Sequence, residues 1–149
     1  MNAFTLLKAD HEKVAGILEN IEETTERAVK GRDELFAQLK QELDLHARIE
    51  EEVLYPALEE AEETRDITLE AYEEHRLVKQ LLAELETEPK DTEEWPAKFS
   101  VLKENIEHHV EEEEGEMFSQ ARTALSEAEI EELGERLQEA KRQSMSASA

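Results

Sequence analysis

The chain has 149 residues, enough for one buried core and too few for two ordinary domains. It carries 40 acidic against 17 basic side chains, a net charge of -23, which disfavours nucleic acid and anionic membrane surfaces as partners. It has no cysteine, which excludes disulfides, thiolate metal sites, iron–sulfur clusters and a cysteine nucleophile, so any metal must be held by nitrogen and oxygen.

The N-terminal stretch MNAFTLLKADHEKV has neither the long apolar run nor the small-residue cleavage site of a signal peptide. No segment reaches membrane-spanning length, and a cytoplasmic protein is expected. Apolar residues recur at three- and four-residue steps, never in β-type alternation, and the periodicity predicts helices over about 3–29, 33–62, 65–87, 94–124 and 127–141. Gly31 is expected to close the first helix and Asp33 to cap the second. The break EPKDTEE, with Pro89 and Asp91, separates the third helix from the fourth, and Pro96 suits the fourth helix's first turn. SEAE, Ser126 to Glu129, has the spacing of a capping box and opens a short fifth helix. The closing QSMSASA is small and polar, and residues 142–149 are expected to form a disordered tail. Four long helices on short links imply an all-α fold, an antiparallel up-down-up-down four-helix bundle within one domain over 1–141, with the fifth helix laid against it.

The five histidines are His11, His46, His75, His108 and His109. Two of them open H-x-x-x-E units, HARIE (His46, Glu50) and HVEEE (His109, Glu113), where one helical turn sets both side chains on one face. In a chain this rich in glutamate the unit also arises by composition, as in His108 with Glu112, so specificity must come from register. An internal duplication supplies it. HARIEEEVLYP laid over HVEEEEGEMFS matches His46 with His109, Glu50 with Glu113, Glu51 with Glu114 and Tyr55 with Phe118. DHEKVAGILENIE laid over EHRLVKQLLAELE aligns His11 with His75, Val14 with Val78, Leu18 with Leu82 and Glu22 with Glu86. The separations from the first histidine to the second in each half, 35 and 34 residues, nearly agree.

These residues share stripes with apolar side chains: His11 with Leu7, Val14 and Leu18, His75 with Val78 and Leu82, His46 and Glu50 with Leu39 and Val53, His109 and Glu113 with Leu102 and Ile106. They therefore point into the bundle. Two facing buried carboxylates repel unless cations lie between them. Four imidazoles and two carboxylates suit two iron ions, each carboxylate able to bridge, with an oxo or hydroxo group completing the bridge. Zinc tolerates the same donors, but a structural zinc needs fewer.

The pattern H…HxxxE…H…HxxxE, with EEVLYP closing the first unit much as EE-x-x-FP does in that family, resembles the hemerythrin-like or HHE cation-binding family over residues 11–119. The resemblance implies a four-helix bundle around a non-haem di-iron site held by His11, His46, Glu50, His75, His109 and Glu113, with Glu50 and Glu113 as bridges. Oxygen-carrying hemerythrins place a further histidine one turn after the third-helix ligand, where this chain has Lys79, with Ala15 at the equivalent place in the first helix. The open position this implies suits reaction with O2, H2O2 or NO, or labile iron, better than reversible oxygen carriage. His108 to Glu113 matches the H-x-x-x-x-D spacing of the carriers' last helix, so His108 is the alternative to His109, which the duplication favours.

The expected function is thus a di-iron protein acting on a small oxidant or gas, or handling iron. The competing reading is a metal-free or zinc-containing bundle with a structural or interaction role. Glu51, Glu52, Glu111, Glu112 and Glu114 are expected to be mostly solvated charge. Tyr55, Phe118 and Tyr72 are expected to pack in the core, with Tyr72 the best placed to support a ligand, and Lys79 to lie at the boundary within reach of a ligand carboxylate.

Overall fold

The computed structural model describes residues 1–25 and 27–148, and every regular element among them is helical. Helix α1 spans Ala3–Glu22 and opens on Asn2, whose side chain accepts a hydrogen bond from the Thr5 N–H at 2.9 Å. It stops well short of residue 29, and Gly31 does not end it. Past its end the Thr24 hydroxyl donates to the Ile21 carbonyl, and Thr24 is held in turn by Arg32, a buried cation that donates from Nε to Thr24 Oγ1 at 2.8 Å and from Nη2 to the Thr24 carbonyl at 2.9 Å. Its Nη1 reaches the Lys90 carbonyl at 2.7 Å, so one side chain fastens two inter-helix links.

Helix α2 covers 29–59 in three parts: Val29–Ile49, a π turn over Glu50–Leu54, and Tyr55–Glu59. Gly31 and Asp33 lie inside its first turns, and Ala28 at the cap position makes no side-chain capping bond. Helix α3 is Glu62–Thr87. Helix α4 covers 94–124 as Glu94–Glu112, a π turn over Glu113–Met117, and Phe118–Ala124. Helix α5 is Glu127–Ser148, opened by the capping box in which Ser126 N–H donates to Glu129 Oε1 at 3.0 Å and Glu129 N–H to Ser126 Oγ at 3.1 Å. Its backbone continues past the boundary expected at 141, where Lys141 is held by Asp10 at 2.6 Å; Ala149, the last residue of the expected tail, lies outside the described residues.

Helices adjacent in sequence pack side by side and α1 closes on α4, which gives the up-down-up-down bundle, while α5 lies along α1 and α2. Gly134 lets α5 approach the chain start closely: a Cβ there would meet the Met1 carbonyl oxygen at 2.3 Å. The apolar interior forms two clusters. One gathers Phe4, Leu7, Leu54, Leu58, Phe118 and Leu137, and the other Val14, Leu18, Phe36, Leu82, Trp95 and Ile106. Along α1, His11 falls between Leu7 of the first cluster and Val14 of the second. Along α4, His109 and Glu113 fall between Ile106 and Phe118. The histidines therefore make a polar layer between two apolar plugs.

Candidate metal centre

All six residues singled out in the sequence are buried, and their donor atoms converge in this layer. Glu50 Oε1 lies 3.2 Å from His46 Nε2 and 3.1 Å from His75 Nε2. Glu113 Oε1 lies 3.2 Å from His11 Nε2, and its Oε2 lies 3.2 Å from His109 Nε2. One group of mutually close donors is His11, His46, Glu50 and Glu113; the other is Glu50, His75 and His109. Each glutamate thus stands between the two histidine pairs. His108 points away, with 70% of its side chain exposed, so His109 is the member of the adjacent pair inside the layer.

Each imidazole is held from behind by a carboxylate. Nδ1 of His11 meets Glu114 at 2.6 Å, Nδ1 of His46 meets Asp10 at 3.1 Å, Nδ1 of His75 meets Glu51 at 2.9 Å, and Nδ1 of His109 meets Glu74 at 2.7 Å. The contacts obey the duplication: His11–Glu114 corresponds to His75–Glu51, and His46–Asp10 to His109–Glu74. Such partners fix ring orientation and leave Nε2 aimed inward. Glu51 and Glu114 are therefore not the solvated charge expected of them. The pairing of these two positions in the duplicated register was the signal that could have found them.

The π turns explain what periodicity missed. Both begin at the H-x-x-x-E glutamate, and in each the N–H five residues on, of Tyr55 or Phe118, reaches back to that glutamate's carbonyl. In a regular α-helix side chains five apart diverge by about 140°; the wider turn brings Tyr55 round to the side Glu50 faces. Tyr55 Oη lies 3.0 Å from Glu113 Oε2, 3.2 Å from Glu50 Oε1 and 3.1 Å from His75 Nε2. Tyr72, the expected supporting tyrosine, instead packs edge-on against the Tyr55 ring and turns its hydroxyl to Glu59. Phe118, the counterpart of Tyr55, has no hydroxyl and stacks on Phe4, so only the first half brings a phenol into the layer.

The donor set fits a pair of divalent cations. His11 Nε2, His46 Nε2, Glu50 Oε2 and Glu113 Oε1 are buried without a hydrogen-bond partner, whereas His75 Nε2 and Glu113 Oε2 meet the Tyr55 hydroxyl. Orphaned buried polar atoms are costly, and a bound cation satisfies them together. Without metal, protons supply the positive charge. Burial lowers the His46 pKa, but the Glu50 carboxylate and the Asp10 hydrogen bond overcome it and hold the imidazole well above its usual range. His109, opposed by burial but hydrogen-bonded to Glu113 and Glu74, is raised to about 10. Glu50 is held well below the usual carboxylate range because His46 outweighs its burial.

Beside the four imidazoles lies a cavity of about 40 Å³, walled by apolar side chains including Val78, Leu82 and Ile106, with Lys79 at its edge. A single water needs roughly 10–15 Å³ of such space, so the cavity admits a molecule of only a few atoms. Lys79 Nζ reaches Glu51 at 3.3 Å, which puts it on a carboxylate behind the layer and not on Glu50 or Glu113.

The hemerythrin HHE cation binding domain family matches residues 2–121. An uncharacterized protein of Mycobacterium tuberculosis is 33% identical over 138 residues, 92% of this chain and 83% of that one. A crystal structure of a hemerythrin HHE cation binding domain-containing protein from Mycobacterium kansasii superposes with a TM-score of 0.85 at 32% identity, covering 96% of this chain and 86% of that one. A DNA nickase of Nostoc is 29% identical over 132 residues, but they make up only 37% of its length. No helix among the described residues is long and apolar enough to cross a membrane.

Proposed function

The chain belongs to the hemerythrin HHE cation-binding domain family, and from that premise we propose that it is a non-haem di-iron protein that binds or turns over a small oxidant or gas, O2, H2O2 or NO, or handles labile iron. The observation that carries this reading is the buried layer of four inward-facing imidazoles and two shared carboxylates, four of whose atoms make no hydrogen bond. His11 and His46 would hold one ion and His75 and His109 the other, with Glu50 and Glu113 placed to serve both. Bound iron supplies redox and Lewis-acid capacity at this position.

The chain's own contribution is arrangement. Asp10, Glu51, Glu74 and Glu114 keep the imidazoles turned inward. The apolar plugs above and below exclude bulk water, which strengthens every charge interaction between them. Tyr55, its pKa raised well above the usual range by burial and by the Glu113 and Glu50 carboxylates, keeps its proton and can donate it as a hydrogen bond beside any small molecule in the layer. The size of the adjoining cavity supports a ligand of two to four atoms over a larger organic one.

Purified protein, or protein reconstituted anaerobically with ferrous iron, is expected to hold two irons per chain and to show ligand-to-metal charge-transfer absorption when oxidised. His46→Ala and His109→Ala are each expected to reduce the bound iron. Reconstituted protein free of iron by metal analysis would overturn the proposal. Peroxide loss no faster than in the substituted proteins would remove peroxide from the candidate substrates, and a stable reversible oxy spectrum would favour oxygen carriage.

A further inference from the structure

We propose that Glu74, His108 and Glu112 form a second, outer site for a divalent transition-metal ion, at the rim where α3 meets α4. His108 and Glu112 stand one turn apart on α4, with His108 Nε2 3.1 Å from Glu112 Oε2 and 3.9 Å from Glu74 Oε2 on α3. One donor atom from each of the three lies within 4.8 Å of the others. The cluster opens to solvent through His108, while Glu74 and Glu112 are only partly exposed. One imidazole and two carboxylates, with positions left for water, suit a borderline ion such as Zn²⁺, Co²⁺ or Fe²⁺ better than Ca²⁺ or Mg²⁺, which take oxygen alone.

The duplication gives an independent reason to expect a cation there. Glu74 divides its oxygens, with Oε1 on His109 Nδ1 and Oε2 facing outward. Its counterpart Asp10 does the same, with Oδ2 on His46 Nδ1 and Oδ1 outward. On the Asp10 side the outward oxygen meets a cation carried by the chain itself: Lys141 of α5, at 2.6 Å. Helix α5 follows the duplicated four helices and has no second copy, and no lysine or arginine among the described residues pairs with Glu74. The positions that correspond to His108 and Glu112 in the first half are Leu45 and Ile49, which cannot bind an ion. Where the first half brings its own positive charge, the second half has assembled ligands for one from solution.

The site does not depend on the inner layer holding iron, and the test separates the two. Whole protein stripped of metal is dialysed to equilibrium against Co²⁺, alongside His108→Ala and Glu112→Gln; His108 is surface-exposed and the second change keeps the shape, so both should fold. Each variant is expected to bind one Co²⁺ per chain fewer than the unaltered protein, and Co²⁺ is expected to shift the His108 ring protons in the NMR spectrum of the unaltered protein. Equal Co²⁺ content in variants and unaltered protein, or unshifted His108 protons at saturation, would overturn the assignment. Failure of the inner centre would instead lower every total while leaving the difference of one.

Discussion

At His109 the metal-free chain holds a proton where the proposed function puts an ion. Glu113 and Glu74 outweigh its burial and raise its pKa from 6.5 to about 10, and His46 moves in the same direction. A group whose folded pKa lies above its unfolded one stabilises the fold fully below the unfolded value and loses that contribution as pH rises through the folded value. The melting temperature of the metal-free chain, followed by circular dichroism in the presence of chelator, should therefore fall from pH 7 to pH 10, the window set by the His109 shift. A flat or rising melting temperature there would show that these imidazoles are neutral in the folded chain. Metal affinity should rise across the same window, because bound protons must leave before the ligands can serve. The six inner residues were legible because a repeated histidine register survives dilution by abundant glutamate. Tyr55 was not, because its approach to Glu113 depends on a π turn, which leaves no mark on a period of 3.6.

Among the helices, the least legible feature was where α1 ends. Gly31 is the residue expected to close the helix, yet the chain leaves it before that, with the Thr24 hydroxyl on the Ile21 carbonyl and the Arg32 side chain reaching back to Thr24. The position of Arg32 is fixed in part by the Lys90 carbonyl, far along the chain, and a contact of that kind has no local sequence code. By contrast, the Ser126 to Glu129 box was legible because its chemistry lies within four residues. The docking of α5 makes the same substitution act with opposite sign at two glycines. A methyl group added at Gly16 in α1 would meet nothing within 4 Å, so Gly16→Ala should stabilise by about 0.5–1 kcal/mol through helix propensity alone. At Gly134 the added carbon would meet backbone of Met1, Asn2 and Ala3 at 2.3 to 2.7 Å, and backbone cannot swing aside as a side chain can. Gly134→Ala should cost about 1–3 kcal/mol net of its propensity gain, or undock α5. Denaturant melts of the two variants read this directly; equal gains at both positions would mean that α5 does not rest on the chain start. Undocking would also withdraw Lys141 from Asp10, leaving the carboxylate behind His46 without its cation.

For the whole molecule, a net charge of -23 acts on folding and on metal uptake in opposite senses. Like charges spread over one small bundle repel, and the exposed ion pairs, such as Arg76 with Glu73, contribute little against that. Raising the salt from 0.01 to 0.1 M shortens the screening length from about 30 Å to about 10 Å, so charges on opposite sides of the bundle cease to feel one another. The melting temperature of the metal-free chain should accordingly climb with NaCl over that range. The same unscreened field concentrates cations at the acidic rim, so the initial rate of ferrous uptake should fall over the same range. The final iron content should change little, because the inner donors are buried and screened far less than the surface. Stopped-flow loading and thermal melts at matched salt concentrations test the pair together. A rate indifferent to salt would mean that ions reach the layer by a route the surface charge does not govern, and a melting temperature indifferent to salt would mean that local pairing already offsets the excess of carboxylates.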